Sequence, residues 1–130
     1  MKLLDSSFCA DFLRGRESAK EYRLANQAES FVLTPIGQYE LYHGAVKEGR
    51  DPVLVDDDLP WVETVEYTRQ YALEAARIRH DLTTRGQRLQ HPDMLIAGVA
   101  RSMGVPLVTA DSDFDRVDDL TVENHRERSK

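Results

Sequence analysis

The chain is short of cysteine, of lysine and of long apolar runs, and each shortage removes a class of protein. A single cysteine, Cys9, excludes an internal disulfide and leaves no cysteine cluster for zinc. No apolar stretch approaches the roughly 20 residues that a membrane span requires. The opening "MKLLDSSF" lacks the apolar segment of a secretory signal and reads as a first strand. The expectation is a cytoplasmic protein with no membrane partner. There is no internal repeat and no low-complexity linker, so the 130 residues are expected to form one domain, 1–130.

Of the 17 basic residues only Lys2, Lys20, Lys47 and Lys130 are lysine, and Asp outnumbers Glu. A formal net charge of −6 argues against a nucleic-acid partner, because phosphate repels an anionic surface. An acidic, lysine-poor surface also suits work in high salt, where that repulsion is screened. Net charge is therefore a poor guide to substrate, and local arginine clusters decide. Two exist: Arg14 and Arg16 around Gly15, and Arg85 and Arg88 around Gly86.

Short apolar runs alternate with helical patterns. Lys2–Leu4 is the first run and ends at Asp5. Ser7–Leu13 carries Phe8, Cys9, Phe12 and Leu13 at helical spacing and stops at Arg14-Gly15. Glu17–Asn26 is a polar helix, and Phe31–Leu33 is a second apolar run. Thr34 followed by Pro35 is a cap that opens a helix bearing Ile36, Tyr39, Glu40 and Ala45. "KEGRDPVLVDDDLP" reads as loop, and Trp61–Val65 as a short extended piece. Tyr71, Ala75, Ile78 and Leu82 mark an amphipathic helix over Thr68–Arg85, closed by Gly86. Pro92 opens another, with Leu95, Ile96, Val99 and Met103 inward and Gly104 at its end. Val105–Thr109 is strand-like, and Leu120–Val122 is a candidate edge strand.

This alternation predicts an α/β, three-layer fold: a central parallel sheet of four to five short strands with helices on both faces. In such sheets ligands bind beyond the carboxyl ends of the strands. Asp5 follows the first strand, and Thr109-Ala110-Asp111 closes the late one. Glu40 and Asp93 lie in the early turns of helices, where the helix dipole favours an anion.

The stretch "LVTADSDFDRVDD" could be a calcium loop, since Asp111, Asp113 and Asp115 fill its first three ligand positions. Arg116 stands where glycine must turn, and Val122 where the bidentate glutamate belongs. The preceding segment is a strand where a helix is needed. The calcium reading fails. An Asp-nucleophile phosphatase wants a second Asp where Ser7 stands, and a phosphorelay receiver wants a Lys near Thr109. Both are disfavoured but stay open.

Together Asp5, Glu40, Asp93 and Asp111 are more informative than any of them alone. Taken singly, Asp5 is a strand-end turn residue, Asp93 a helix-start charge and Asp111 a turn cap. Four carboxylates on one rim raise each other's pKa and destabilise a fold unless a cation joins them. Hard oxygen ligands suit Mg²⁺, with Mn²⁺ as an alternative.

"LLDSSFCADFLRG", "TPIGQYELYHGA", "HPDMLIAGVA" and "LVTADSDFDRV" resemble, in order, the four motifs of PIN-domain ribonucleases, particularly VapC-type toxins of toxin–antitoxin modules. The resemblance runs from about Met1 to Val122. It implies a metal-dependent endoribonuclease that leaves a 5′-phosphate and a 3′-hydroxyl, restrained by a cognate antitoxin and usually homodimeric. By motif, Asp5, Glu40, Asp93 and Asp111 match the metal-holding acids, and Asp113 a variable fifth. Ser6 and Thr109 match the hydroxyls that orient carboxylates or water. Arg14, Arg16, Arg85 and Arg88 are candidate contacts to RNA phosphates. Many relatives carry a further acid where this chain has Gln90-His91-Pro92. An RNA-processing PIN nuclease without an antitoxin and a non-catalytic partner-binding domain remain as alternatives. Asp115, Asp118, Asp119 and Asp56–Asp58 read as solvated surface, His91 as an ordinary loop histidine and Cys9 as a small core residue.

Overall fold

The computed structural model describes residues 1–127. Its strands are β1 (Lys2–Leu4), β2 (Phe31–Leu33), β3 (Val62–Thr64), β4 (Leu107–Thr109) and β5 (Val122–Asn124). Its helices are α1 (Ser6–Leu13), α2 (Glu17–Ala25), α3 (Pro35–Lys47), α4 (Arg69–Thr84) and α5 (His91–Met103). Short 3-10 turns cover Pro52–Leu54, Asp56–Asp58 and Ser112–Arg116. No helix among the described residues is long and apolar enough to cross a membrane.

All strand pairings are parallel, in the order β3-β2-β1-β4-β5. The expected layered α/β fold of four to five short parallel strands is the one observed, with five strands. Side-chain alternation along each strand divides the core into two layers. Leu3, Val32 and Leu107 face α4 and α5, where they meet Ile78, Leu82, Ile96 and Val99. Leu4, Phe31, Leu33 and Val108 face the other side, against Phe8, Cys9, Ala19 and Leu41. Cys9 is a buried core residue, as its place on α1 suggests.

Local signals set the helix ends. Thr34 Oγ1 accepts the Gly37 amide at 3.0 Å with Pro35 at the helix start, and Thr68 caps α4 through the Tyr71 amide at 3.3 Å. Gly104 ends α5 in the left-handed conformation at φ 68°. The α4–α5 crossing is close because Gly98 has no side chain. A Cβ there would lie 2.8 Å from both Ala75 N and Tyr71 O.

Three expectations need adjustment. On α5 it is Met94, not Leu95, that joins the buried face, because the helix is enclosed by both the sheet and α4. His91 is the first residue of α5 rather than part of a loop, and it is exposed. The last strand lies at Val122–Asn124, two residues beyond the expected start, after Asp119 turns the chain at φ 60°.

Candidate functional site

In the strand order the chain leaves β1 in one direction for β2 and returns on the other side through β4. This reversal opens a crevice between the carboxyl ends of β1 and β4. Asp5 stands at its floor. The Asp5 amide continues the ladder by donating to Val108 O at 2.9 Å, and Asp5 is then the N-cap residue of α1.

Asp5 is almost fully buried, with 5% exposure. Thr109 Oγ1 donates to its Oδ2 at 2.8 Å, and Ser7 Oγ donates to the same oxygen at 2.9 Å. The two hydroxyls are themselves 3.2 Å apart. Each has one proton, so when both protons go to Asp5 that contact holds none. Their lone pairs are used as well: Ala110 N donates to Ser7 Oγ at 3.1 Å, and Asp111 N to Thr109 Oγ1 at 3.0 Å. Burial raises the Asp5 pKa, and the negative charge of Asp111 adds to it. The Thr109 and Ser7 hydrogen bonds and the Ser6 amide pull the other way.

Glu40, on the second turn of α3, accepts from Ser6 Oγ at 3.2 Å on Oε1. Its pKa is raised by burial and by the charge of Asp5, against the Ser6 hydrogen bond. Asp93, in the first turn of α5, has its pKa pushed up to about 7. Burial is the first cause, followed by the charges of Asp5, Asp111, Glu40 and Asp113, all of which raise it. Asp111 Oδ1 accepts the Asp113 amide at 2.9 Å, so this acid does cap the 3-10 turn beyond β4 as well as facing the crevice group. Asp113 also pairs with Arg116 at 3.1 Å and is half exposed.

Asp5, Glu40, Asp93, Asp111 and Asp113 thus act on one another electrostatically, although they come from distant parts of the chain. Ser6 donates a hydrogen bond to Glu40, and Thr109 donates one to Asp5. Ser7 is an addition, entering the site with the same partner as Thr109. Its signal was local: a hydroxyl two residues past Asp5, within the first turn of α1. Among the described residues, no three His, Cys, Asp or Glu side chains already stand closed enough to hold a metal ion. The donor set is nevertheless entirely hard oxygen, and the charges acting on Asp93 are all carboxylates. Its chemistry fits a divalent cation, which would have to draw these side chains inward.

The arginine clusters differ in their surroundings. Arg14 pairs with Glu48 at 3.0 Å, and Arg16 lies 3.9 Å from Asp11. Arg85 donates to Arg116 O at 2.8 Å and lies 3.9 Å from Asp118, whereas Arg88 is exposed. Asp115, Asp118, Asp119 and Asp56–Asp58 are all exposed. Two grooves reach the carboxylates from different sides. One, of about 680 Å³, has Arg88, His91, Asp113 and Arg116 on its wall. The other, of about 550 Å³, runs between α1 and α3 and includes Ser6, Ser7 and Glu40.

A polar hub that sequence reading missed lies at the far end of α1. Asp11 accepts from Arg126 Nε at 2.8 Å and Nη2 at 2.9 Å, and His125 Nε2 is 2.8 Å from its Oδ2. The hub joins the segment after β5 to α1.

The family model described as PIN domain matches residues 2–120. The tRNA(fMet)-specific endonuclease VapC of Shigella flexneri is 25% identical over 126 residues, covering 94% of this chain and 96% of that protein. Ribonuclease VapC2 of Haemophilus influenzae is 28% identical over 126 residues, with the same coverage of 94% and 96%. The crystal structure of DNA-bound VapBC from Salmonella typhimurium contains a chain that superposes with a TM-score of 0.83 at 26% identity. That match covers 95% of this chain and 97% of the other.

Proposed function

The chain belongs to the PIN-domain family, and on that premise we propose that it is an endoribonuclease, the toxin of a toxin–antitoxin pair. In this reading it hydrolyses RNA phosphodiesters with Mg²⁺, or Mn²⁺, held by Asp5, Glu40, Asp93 and Asp111, with Asp113 as a fifth oxygen ligand. The observation that carries it is the gathering of five acids at one crevice, where burial first and then the charges of the other carboxylates push Asp93 up to about 7. A fold keeps such a cluster at a cost in stability, and a bound cation turns that cost into affinity.

When bound, the cation supplies positive charge for the phosphoryl oxygens and the means to deprotonate water near neutral pH. The chain's own residues do the positioning. Ser7 and Thr109 saturate Asp5 Oδ2 and so fix the carboxylate plane. Ser6 tethers Glu40, and the turn amide of Asp113 holds Asp111. Asp93 comes in on the first turn of α5, a helix locked against α4 at Gly98. Hydroxyl and amide partners of this kind keep ligands oriented between turnovers.

The antitoxin partner fits the groove between α1 and α3. Its floor includes Ala10, Leu41 and Ala45, and its rim includes Asp51 and Asp58, with Glu40 at the inner end. A segment with apolar and basic side chains suits that surface and would bring a cation to Glu40. The homodimer implied by the sequence resemblance belongs to the same proposal and is checked by sedimentation.

The deciding test is RNA cleavage by purified protein with Mg²⁺, Mn²⁺ or EDTA. Wild type should cut only with a cation, and Asp5→Asn and Asp93→Asn should each lose about 100-fold or more. Cleavage that ignores EDTA, or equal rates in all three proteins, would overturn the assignment.

A further inference from the structure

We propose that the groove beside the carboxylates, walled by Arg79, Arg88 and Arg116, seats the phosphates of the RNA strand next to the one being cut. The inference rests on the nuclease reading and adds where the substrate runs. The groove lies between α4, the connection over residues 86–90 and the start of α5, and its volume is about 680 Å³. It shares Asp113 with the crevice. A strand lying in it therefore reaches the carboxylates without crossing the sheet.

Its charge is opposite to that of the molecule. The chain carries a formal −6, yet three arginines line this groove against one carboxylate, Asp113. Arg116 satisfies that carboxylate at 3.1 Å while donating to Arg88 O at 2.8 Å, so it also braces the connection. Arg85 reinforces the brace from outside by donating to Arg116 O at 2.8 Å. Among the described residues, the exposed Arg79 and Arg88 side chains make no ion pair and are left for a ligand. Arg14 is different, because Glu48 already meets it at 3.0 Å.

The rest of the lining suits a nucleotide chain. Leu82, Leu89 and Met94 give an apolar floor for a ribose or base, and guanidinium planes stack on bases as well as meeting phosphate. The Gln90 side chain precedes α5 without capping it, so its amide is available to a base edge. An acidic peptide would use the arginines but has less use for this floor, which is why RNA is preferred.

The test is binding of a fluorescently labelled single-stranded RNA to the full chain, by anisotropy in EDTA and in Ca²⁺, across a salt series. Each lost phosphate contact should reduce the log–log salt slope by about 0.7 and weaken binding about fourfold at physiological salt. Arg79→Gln with Arg88→Gln should therefore cost about 15-fold together. Arg77→Gln removes one charge from an arginine that pairs with Glu74, and is the control for each groove substitution made singly. Its affinity should stay within about twofold of wild type. Equal losses in the control and the groove variants, or no loss in either, would overturn the proposal. So would groove variants that keep RNA affinity and lose only an acidic protein partner. A wild-type protein that binds RNA through these arginines but never cuts would refute the nuclease reading and leave the groove in place.

Discussion

Thr109 and Asp5 are 104 positions apart in sequence, and a 2.8 Å hydrogen bond joins them across the carboxyl ends of β4 and β1. Thr109 does two things there, since its oxygen also receives the Asp111 amide at 3.0 Å. One hydroxyl thereby sets the relation between two of the proposed metal-holding acids.

Thr109→Val keeps the shape and removes both interactions. Asp5 would lose its shortest donor and become harder to ionise, and the Asp111 amide would lose its acceptor. The expected result is a loss of about 1–3 kcal/mol in stability and about tenfold or more in Mn²⁺ affinity. Thr109→Ser should recover most of both. Chemical denaturation and calorimetric Mn²⁺ titration of the three proteins check this, and a Val variant that binds Mn²⁺ like wild type would contradict the positioning role.

Asp93 predicts an unusual pH dependence for the metal-free protein. Its folded pKa is about 7, above the ordinary 3.8 of an aspartate. Between those values the folded state holds a proton that the unfolded state releases, so stability falls as pH rises from about 4 to 7. The melting temperature without metal should accordingly be lower at pH 8 than at pH 5.5. Asp93→Asn should flatten the slope and raise the melting temperature at pH 8. Saturating Mn²⁺ should restore wild type there, because a cation favours the ionised form. A flat profile in wild type would remove the crevice repulsion from the account.

How much of this was legible follows from where each residue sits. Asp5, Asp93 and Asp111 could be proposed because each lies next to a signal that ends a strand or starts a helix, and Glu40 because it stands one turn beyond such a start. Parallel topology then carries all four to one rim. Asp113 was readable as an acid but not as the partner of Arg116. Ser7 was passed over, since a hydroxyl in a first turn usually caps its own helix, whereas this one reaches β4. The Asp11 hub was hidden for a different reason. Asp11 lies on the Phe8–Phe12 side of α1, which hints at burial, but His125 and Arg126 are more than a hundred residues away. No local pattern encodes such a pairing.

That hub gives a prediction in the acid range. Arg126 and His125 hold Asp11 well below its ordinary range, at about 2, despite the burial that opposes ionisation. A depressed folded pKa stabilises the protein above about pH 4, and that stabilisation is lost as pH falls toward 2. The shift corresponds to about 2 kcal/mol. Asp11→Asn should cost a similar amount at pH 7 and should lessen the steepness of acid unfolding below pH 4. His125 has its pKa lowered, first by burial, so it meets Asp11 as a neutral donor near pH 7. Urea titrations at pH 7 and pH 3 separate the two effects, and an Asn variant as stable as wild type at pH 7 would leave the hub without energetic weight.

Gly98 links packing to chemistry most directly. Replacing it with alanine favours the α5 helix by about 1 kcal/mol through propensity. The new Cβ would meet Ala75 N and Tyr71 O at 2.8 Å, and both are backbone atoms that cannot swing aside. The two helices must then separate, at about 1–3 kcal/mol for an overpacked contact. The steric cost should exceed the propensity gain, so Gly98→Ala is expected to be less stable than wild type. α5 also carries Asp93, five positions toward its start, so the displacement should reach the crevice. Mn²⁺ affinity should fall in the same variant, while Gly44→Ala, where a Cβ meets nothing within 4 Å, should leave it unchanged. If Gly98→Ala were destabilised but bound Mn²⁺ normally, the α4–α5 spacing would not set the position of Asp93.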